Sequence, residues 1–258
     1  MKITPIPAFK DNYLWLIEAE GHCYIIDPGD GGAVKKWLKK RHQSLSAILI
    51  THHHNDHIGG IEELLGDYAV PVYGPESPRI PQITHFLHEG QSLSLPGLPL
   101  TVMEIPGHTM DHIAYFVDIN GQDPLLFCGD TLFAGGCGRI FDGTPTLFHQ
   151  SLIKIGQLPG NTRVFCAHEY TLANLRFAQA VEPDNSDLAH RIPVEQQKRQ
   201  LGQPTIPMTI AAELATNPFL RCQLESVKTS VEEYYGAVTS SDLEVFTLLR
   251  QWKDHFTG

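Results

Sequence analysis

The segment Thr51-His52-His53-His54-Asn55-Asp56-His57-Ile58-Gly59-Gly60 constrains this chain more than any other. Ala47-Ile48-Leu49-Ile50 before it reads as a buried strand, and the pattern from Ile58 onward reads as a helix. The histidines therefore fall in a strand-to-helix loop at the end of a sheet, where side chains converge on a point. His52 and His54 alternate by two, so an extended segment aims both to one side. Asp56 and His57 diverge toward a second point, so one turn offers nitrogen and carboxylate ligands to two metal ions. A surface histidine tract is the plain alternative. An internal run, interrupted by Asp56 and followed by paired glycines, disfavours it.

Three later corners sit at the ends of strand-like runs. They are Pro106-Gly107-His108-Thr109, Cys128-Gly129-Asp130-Thr131 and Cys166-Ala167-His168-Glu169-Tyr170. One histidine after a strand is ordinarily a hydrogen-bonded structural residue. Three such corners added to the first cluster point to a two-metal site with open positions for water and substrate.

Short apolar runs predict strands over 13–18, 23–27, 47–51, 70–73, 100–105, 113–118, 125–128 and 163–167. Helical patterns fall over 31–41, 58–65 and 146–158, the last after the N-cap and proline pair Thr144-Pro145. Beyond about residue 170 strand signals nearly vanish, and helices are expected over 172–181, 188–201, 209–215 and 242–253. The fold class is α/β, with a smaller helical part at the C-terminus.

Composition narrows the partners. With 258 residues and 42% hydrophobic content the chain can bury a core without disulfides. Its formal net charge of −10 argues against a nucleic-acid binder, which needs a basic face. The one dense basic run, Lys35 to Arg41, reads as a solvated helix face. No stretch approaches the ~18 apolar residues of a membrane span, and the N-terminus lacks the apolar core of a signal peptide. Five cysteines without a CxxC pair fit reduced thiols, so a cytoplasmic protein is expected.

The order HxHxDH, PGHT, GDT and a strand-end His resembles the metal-ligand order of the metallo-β-lactamase superfamily. Residues 9–15 (FKDNYLW), 51–60, 127–139 (FCGDTLFAGGCGR) and 167–171 (AHEYT) are similar to the hydroxyacylglutathione hydrolases, or glyoxalase II. The resemblance implies an αβ/βα sandwich over residues 1–170 and a helical substrate-binding domain over 171–258. It implies His52, His54 and His108 on one ion, Asp56, His57 and His168 on the other, and a bridging Asp130. Two divalent ions are expected, zinc first, with Fe or Mn compatible. Asp56 and Asp130 are the catalytic carboxylates on this reading, as ligands of the hydroxide that the two ions share. The substrate implied is S-D-lactoylglutathione, cleaved to glutathione and D-lactate in the second step of methylglyoxal detoxification, by a monomer.

Arg139, Tyr170, Arg250 and Lys253 match family positions that contact the glutathione peptide and its carboxylate. A chain this acidic needs such a local basic patch to receive an anion. Phe141 stands where some members carry a hydrogen-bonding Tyr, and Asp111 occupies a position that is usually small. His53 and His112 can orient ligands or serve structure alone. Two other readings remain: a glutathione persulfide dioxygenase with a single iron, and a non-catalytic metal-binding module.

Overall fold

The computed structural model describes residues 1–257. Two six-stranded sheets pack face to face. The first runs in chain order through β1 (Lys2–Ala8), β2 (Asn12–Ala19), β3 (His22–Ile26), β4 (Ala47–Leu49), β5 (Val72–Pro75) and β6 (His85–Leu87). The second is built from β7 (Ser92–Leu95), β8 (Leu98–Glu104), β9 (Ile113–Val117), β10 (Leu125–Gly129), β13 (Arg163–Cys166) and β14 (Met208–Thr209), in that spatial order. A small hairpin, β11 (Leu132–Phe133) and β12 (Gly136–Cys137), follows β10.

Side-chain alternation sorts each strand between two cores. Along β2, Trp15 and Ile17 point between the sheets with Val102, Tyr115 and Phe127 of the other sheet. Leu14 and Leu16 point outward against Val34 and Leu38 of α1 (Gly31–Arg41), joined by Ile61 and Leu64 of α3 (Ile61–Asp67). Each such fully buried side chain contributes roughly 1.5–3 kcal/mol. On the second sheet's side lie α4 (Pro145–Gly156), α5 (Thr171–Val181), α6 (Ser186–Gln200), α7 (Ile210–Thr216), α8 (Glu225–Tyr235) and α9 (Asp242–His255). Phe177, Phe219, Val227, Phe246 and Leu249 of this segment belong to the same apolar cluster as the sandwich, and β14 pairs with β13. The helices and the sheets therefore share one core.

The parallel pairs β3–β4 and β10–β13 bring their C-terminal ends to one lip of the sandwich. Backbone bonds stitch that lip: Ile113 N donates to Thr51 O (2.9 Å), Ala167 N to Gly129 O (3.1 Å) and Tyr13 N to Ala167 O (2.7 Å).

Several elements differ from the sequence expectation. The helix predicted over 58–65 is two pieces, α2 (Asn55–Ile58) and α3, broken at Gly59-Gly60. A Cβ on Gly60 would lie 2.2 Å from Gly31 N, so only glycine lets the turn pass beneath the β3–α1 loop. Pro5 and Pro7 hid β1, which pairs with β2 as an edge strand where missing donors are tolerated. The polar sequence of α8 masked a helix that buries Val227 and Val231. All five cysteines are free and buried, and among the described residues no helix is long and apolar enough to cross a membrane.

Candidate metal centre and its cleft

The turn after β4 carries His52, His54, Asp56 and His57 to the lip, where His108, Asp130 and His168 arrive from β8, β10 and β13. Ligand atoms of His52, His54, His108 and Asp130 lie within 4.8 Å of one another, as do those of Asp56, His57 and His168. Asp130 faces both groups: Oδ1 is 3.4 Å from His57 Nε2, and Oδ2 is 3.5 Å from His108 Nε2 and 3.3 Å from His168 Nε2. The structure thus brings together all seven side chains singled out from the sequence.

Three buried atoms here, His52 Nε2, His57 Nε2 and Asp130 Oδ1, have no hydrogen-bond partner. Buried polar atoms are ordinarily satisfied, so a convergent unsatisfied set of nitrogen and oxygen donors fits a divalent metal. The opposite edge of each ring is fixed. Nδ1 of His57 donates to Asp27 Oδ2 (3.0 Å), that of His168 to Asp11 Oδ1 (2.9 Å) and that of His108 to the Arg139 carbonyl (2.7 Å). Thr51 Oγ1 donates to Asp27 Oδ2 at 2.7 Å, which leaves it to accept from His52 Nδ1 at 3.1 Å. With Nδ1 holding a proton, Nε2 is the atom of each ring that offers a lone pair inward whenever the ring is neutral. His54 instead presents Nδ1, 3.0 Å from His108 Nε2.

The electrostatics divide the rings into two kinds. Burial, then neighbouring His108, take His54 down to about 4 and His112 down to about 3. Burial likewise holds His52 and His108 below the ordinary imidazole range, so these rings are neutral bases. His168 behaves oppositely: burial opposes its charge, but Asp130 and a hydrogen bond to Asp56 carry it up to about 10. His57 is raised for the same reason by Asp130 and Asp27. For Asp56 and Asp130 burial is outweighed by the paired imidazoles, and both stay below the usual carboxylate range. Without a metal the carboxylates take protonated histidines as their counter-charge.

Asp11, Asn12 and Asp27 escaped the sequence reading as orienting groups, although Asp11 and Asn12 lie in the FKDNYLW segment. Asn12 Nδ2 donates to Asp56 Oδ2 at 2.9 Å. His112 stacks on His52 (centroids 4.5 Å) and its Nε2 accepts from Asp130 N at 3.1 Å, so it orients these two members of the cluster. His53 faces away: Nδ1 donates to Asp111 and Nε2 accepts from Arg79 (2.6 Å). Asp111, at its unusual position, is engaged by His53 and by Thr109 Oγ1 (2.7 Å).

A cleft of about 560 Å³ opens on the cluster and is lined by His54, Asp56, His108, Asp130 and His168 together with Arg139, Tyr170, Arg250 and Lys253. The four differ in kind. The Arg139 side chain is 69% exposed. Tyr170 lies flat on His168, centroids 4.7 Å apart at 4°. Lys253 donates to Ala173 O (3.1 Å), and burial, then Arg250, take its ammonium down to about 8. Arg250 is only 5% exposed and donates to the carbonyls of Cys137 (3.0 Å) and Gly138 (3.3 Å) and to Asp254 Oδ1 (3.0 Å). Phe141, 64% exposed, sets its ring edge-on to His54 and His108.

A two-sheet sandwich flanked by helices, with a histidine–aspartate cluster where parallel strands end, is the architecture of the metallo-β-lactamase superfamily, whose sequence model matches residues 11–168. A second model, described as hydroxyacylglutathione hydrolase C-terminus, matches residues 169–256. The hydroxyacylglutathione hydrolase of Hahella chejuensis is 48% identical over 256 residues, which is 99% of each chain. The chain belongs to the hydroxyacylglutathione hydrolase family. The protein of that name from Nitrosomonas europaea is 46% identical over 260 residues, covering 100% of this chain and 97% of that one. Among solved structures, the BLEG-1 B3 metallo-β-lactamase shares the fold with a TM-score of 0.63 at 24% identity, over 85% of this chain and 99% of that one.

Proposed function

We propose that this chain hydrolyses S-(2-hydroxyacyl)glutathione thioesters, S-D-lactoylglutathione foremost, to glutathione and a 2-hydroxy acid. One observation carries the reading: the histidine–aspartate cluster and the cationic residues Arg139, Arg250 and Lys253 share a single cleft. His52, His54 and His108 would hold one divalent cation, Asp56, His57 and His168 the other, and Asp130 both. Bound there, the cation pair supplies Lewis acidity and water acidified to react at neutral pH. Zinc is the proposed metal, and the same ligand set accommodates Fe or Mn.

The chain's own residues do the rest. Asp11, Asp27 and the Arg139 carbonyl keep protons on Nδ1 of His168, His57 and His108, away from the reacting centre. Arg139 and Lys253 offer cationic groups to a substrate carboxylate, and Arg250 holds the 137–138 backbone that leads to Arg139. Tyr170 gives a flat wall for the peptide, while Phe133 and Phe141 displace water around the thioester. Residues 171–258 act on this reading as the substrate-binding domain, and the protein works as a cytoplasmic monomer without nucleic-acid or membrane partners.

The test is turnover of S-D-lactoylglutathione by the purified, metal-loaded protein and by Asp130→Ala. Saturable hydrolysis is expected, lost by at least ~10²-fold in the variant together with bound metal. Oxidation of glutathione persulfide on a single iron, with no thioester hydrolysis, overturns the reading.

A further inference from the structure

Glu213 in α7 is wholly buried, yet its carboxylate is turned toward a loop of the active-site cleft. Oε2 accepts from Gly135 N (2.8 Å) and from Asn217 Nδ2 (2.9 Å), and Oε1 accepts from Arg191 Nη2 (2.6 Å). Gly135 is in the turn of the β11–β12 hairpin. Its neighbours are held by residues of the C-terminal segment: Asn217 Nδ2 donates to Gly136 O (2.9 Å), and Asn174 Nδ2 donates to Ala134 O (3.2 Å). Arg250 closes the far end on the carbonyls of Cys137 and Gly138.

This hairpin is the covalent path from Asp130 to Arg139. It has little slack, since a Cβ on Gly138 would lie 2.0 Å from the Asp130 carbonyl. Hydrogen bonds to an ionised acceptor are roughly twice as strong as neutral ones, and burial spares this one from water. The geometry points to Glu213, with Arg191 as its counter-ion, as a positioning residue that sets where Arg139 meets an anionic substrate; this rests on the functional reading above. Neither Glu213 nor Asn217 lines the cleft, so they act only through the hairpin. Asp130 has its own anchor, its amide donating to His112 Nε2. Loosening the hairpin therefore moves the Arg139 side chain first, and it reaches the histidine–aspartate cluster only through the Arg139 carbonyl that accepts from His108 Nδ1.

The test compares Glu213→Gln, Asn217→Ala and the double variant Arg191→Met/Glu213→Gln with the wild type, all metal-loaded. In Glu213→Gln the amide keeps one acceptor and opposes Arg191 with a donor. KM is expected to rise about tenfold with kcat within about twofold, because binding geometry is lost while the reacting centre stays intact. Metal content should stay within about twofold, since the hairpin meets the cluster only at the His108 bond to the Arg139 carbonyl, and amide hydrogen exchange over residues 132–139 should accelerate. In the double variant the side-chain oxygen still accepts from Gly135 N with no buried cation opposed, so KM recovers to within about threefold. Asn217→Ala keeps the Glu213–Arg191 ion pair, removes the Asn217 bonds to Glu213 and Gly136 O, and gives the same split if Glu213→Gln does not fold. A lowered Tm with KM and exchange unchanged overturns the inference, as does a fall in kcat and metal content at constant KM. If the wild type fails to hydrolyse the thioester, the functional reading falls, and exchange over 132–139 in the variants still judges the positioning role.

Discussion

Replacing Asp27 with asparagine should scramble the proton arrangement of both metal groups while leaving the backbone in place. Asp27 has φ of 50°, in the left-handed region that asparagine also tolerates. Its Oδ1 accepts from Thr51 N (2.7 Å), and the amide oxygen of the substituted side chain can keep that bond. Its Oδ2 accepts from Thr51 Oγ1 and from His57 Nδ1, and an NH₂ group there donates to both instead. His57 must then carry its proton on Nε2, the atom aimed at the metal. Thr51 Oγ1, now an acceptor from the amide, turns its own proton toward His52 Nδ1, and that ring flips tautomer too. One atom's change thus reaches a ligand in each group. Losing such an outer partner costs metal affinity by roughly 10–100-fold, or about 1.4–2.8 kcal/mol. Both rings are fully buried, so the effect belongs at the upper end. The assay is competition with chelators of graded strength, reading bound metal by mass spectrometry alongside kcat. If Asp27→Asn holds metal within about threefold of the wild type and keeps its kcat, the tautomer reasoning is wrong.

Metal uptake should also release protons. With Asp130 and Asp56 carrying His168 up to about 10, its ring is protonated in the metal-free protein at pH 8, and Asp130 and Asp27 push His57 in the same direction. Ligation expels protons held there, so an indicator dye should record at least one per chain, and apparent affinity should climb as pH rises toward 10. A pH-independent affinity contradicts the assignment. Lys253, down to about 8, is cationic below that pH and neutral above it. Accordingly kcat/KM for the anionic thioester should fall above pH 8 while kcat stays level, and Lys253→Met should lack that limb. An unchanged profile in the variant assigns the limb to another group.

The seven inward-facing side chains were legible because each sits in a short motif at a strand end, where chain direction fixes the side-chain direction. Phe127 and Ile48 announced their strands by apolar runs alone. What escaped depends on contacts the sequence separates widely. Asp11 meets His168 across 157 positions and Asp27 meets His57 across 30, so neither spacing carries a signal. β1 carries no strand signal because Pro5 and Pro7 lack the N–H that a ladder uses, and only its place at a sheet edge makes them harmless. Arg250 shows the limit most clearly. Its family position suggests a direct grip on substrate, whereas its guanidinium is largely committed to the 137–138 carbonyls and Asp254.

That one cleft both holds divalent metal and opens a glutathione thioester is tested most directly by titrating zinc into the metal-free protein while following S-D-lactoylglutathione hydrolysis in the same cell. Hydrolysis should rise with bound zinc and level off when two ions per chain are held. Metal binding without hydrolysis at any loading, or hydrolysis that persists after the metal is stripped, contradicts it.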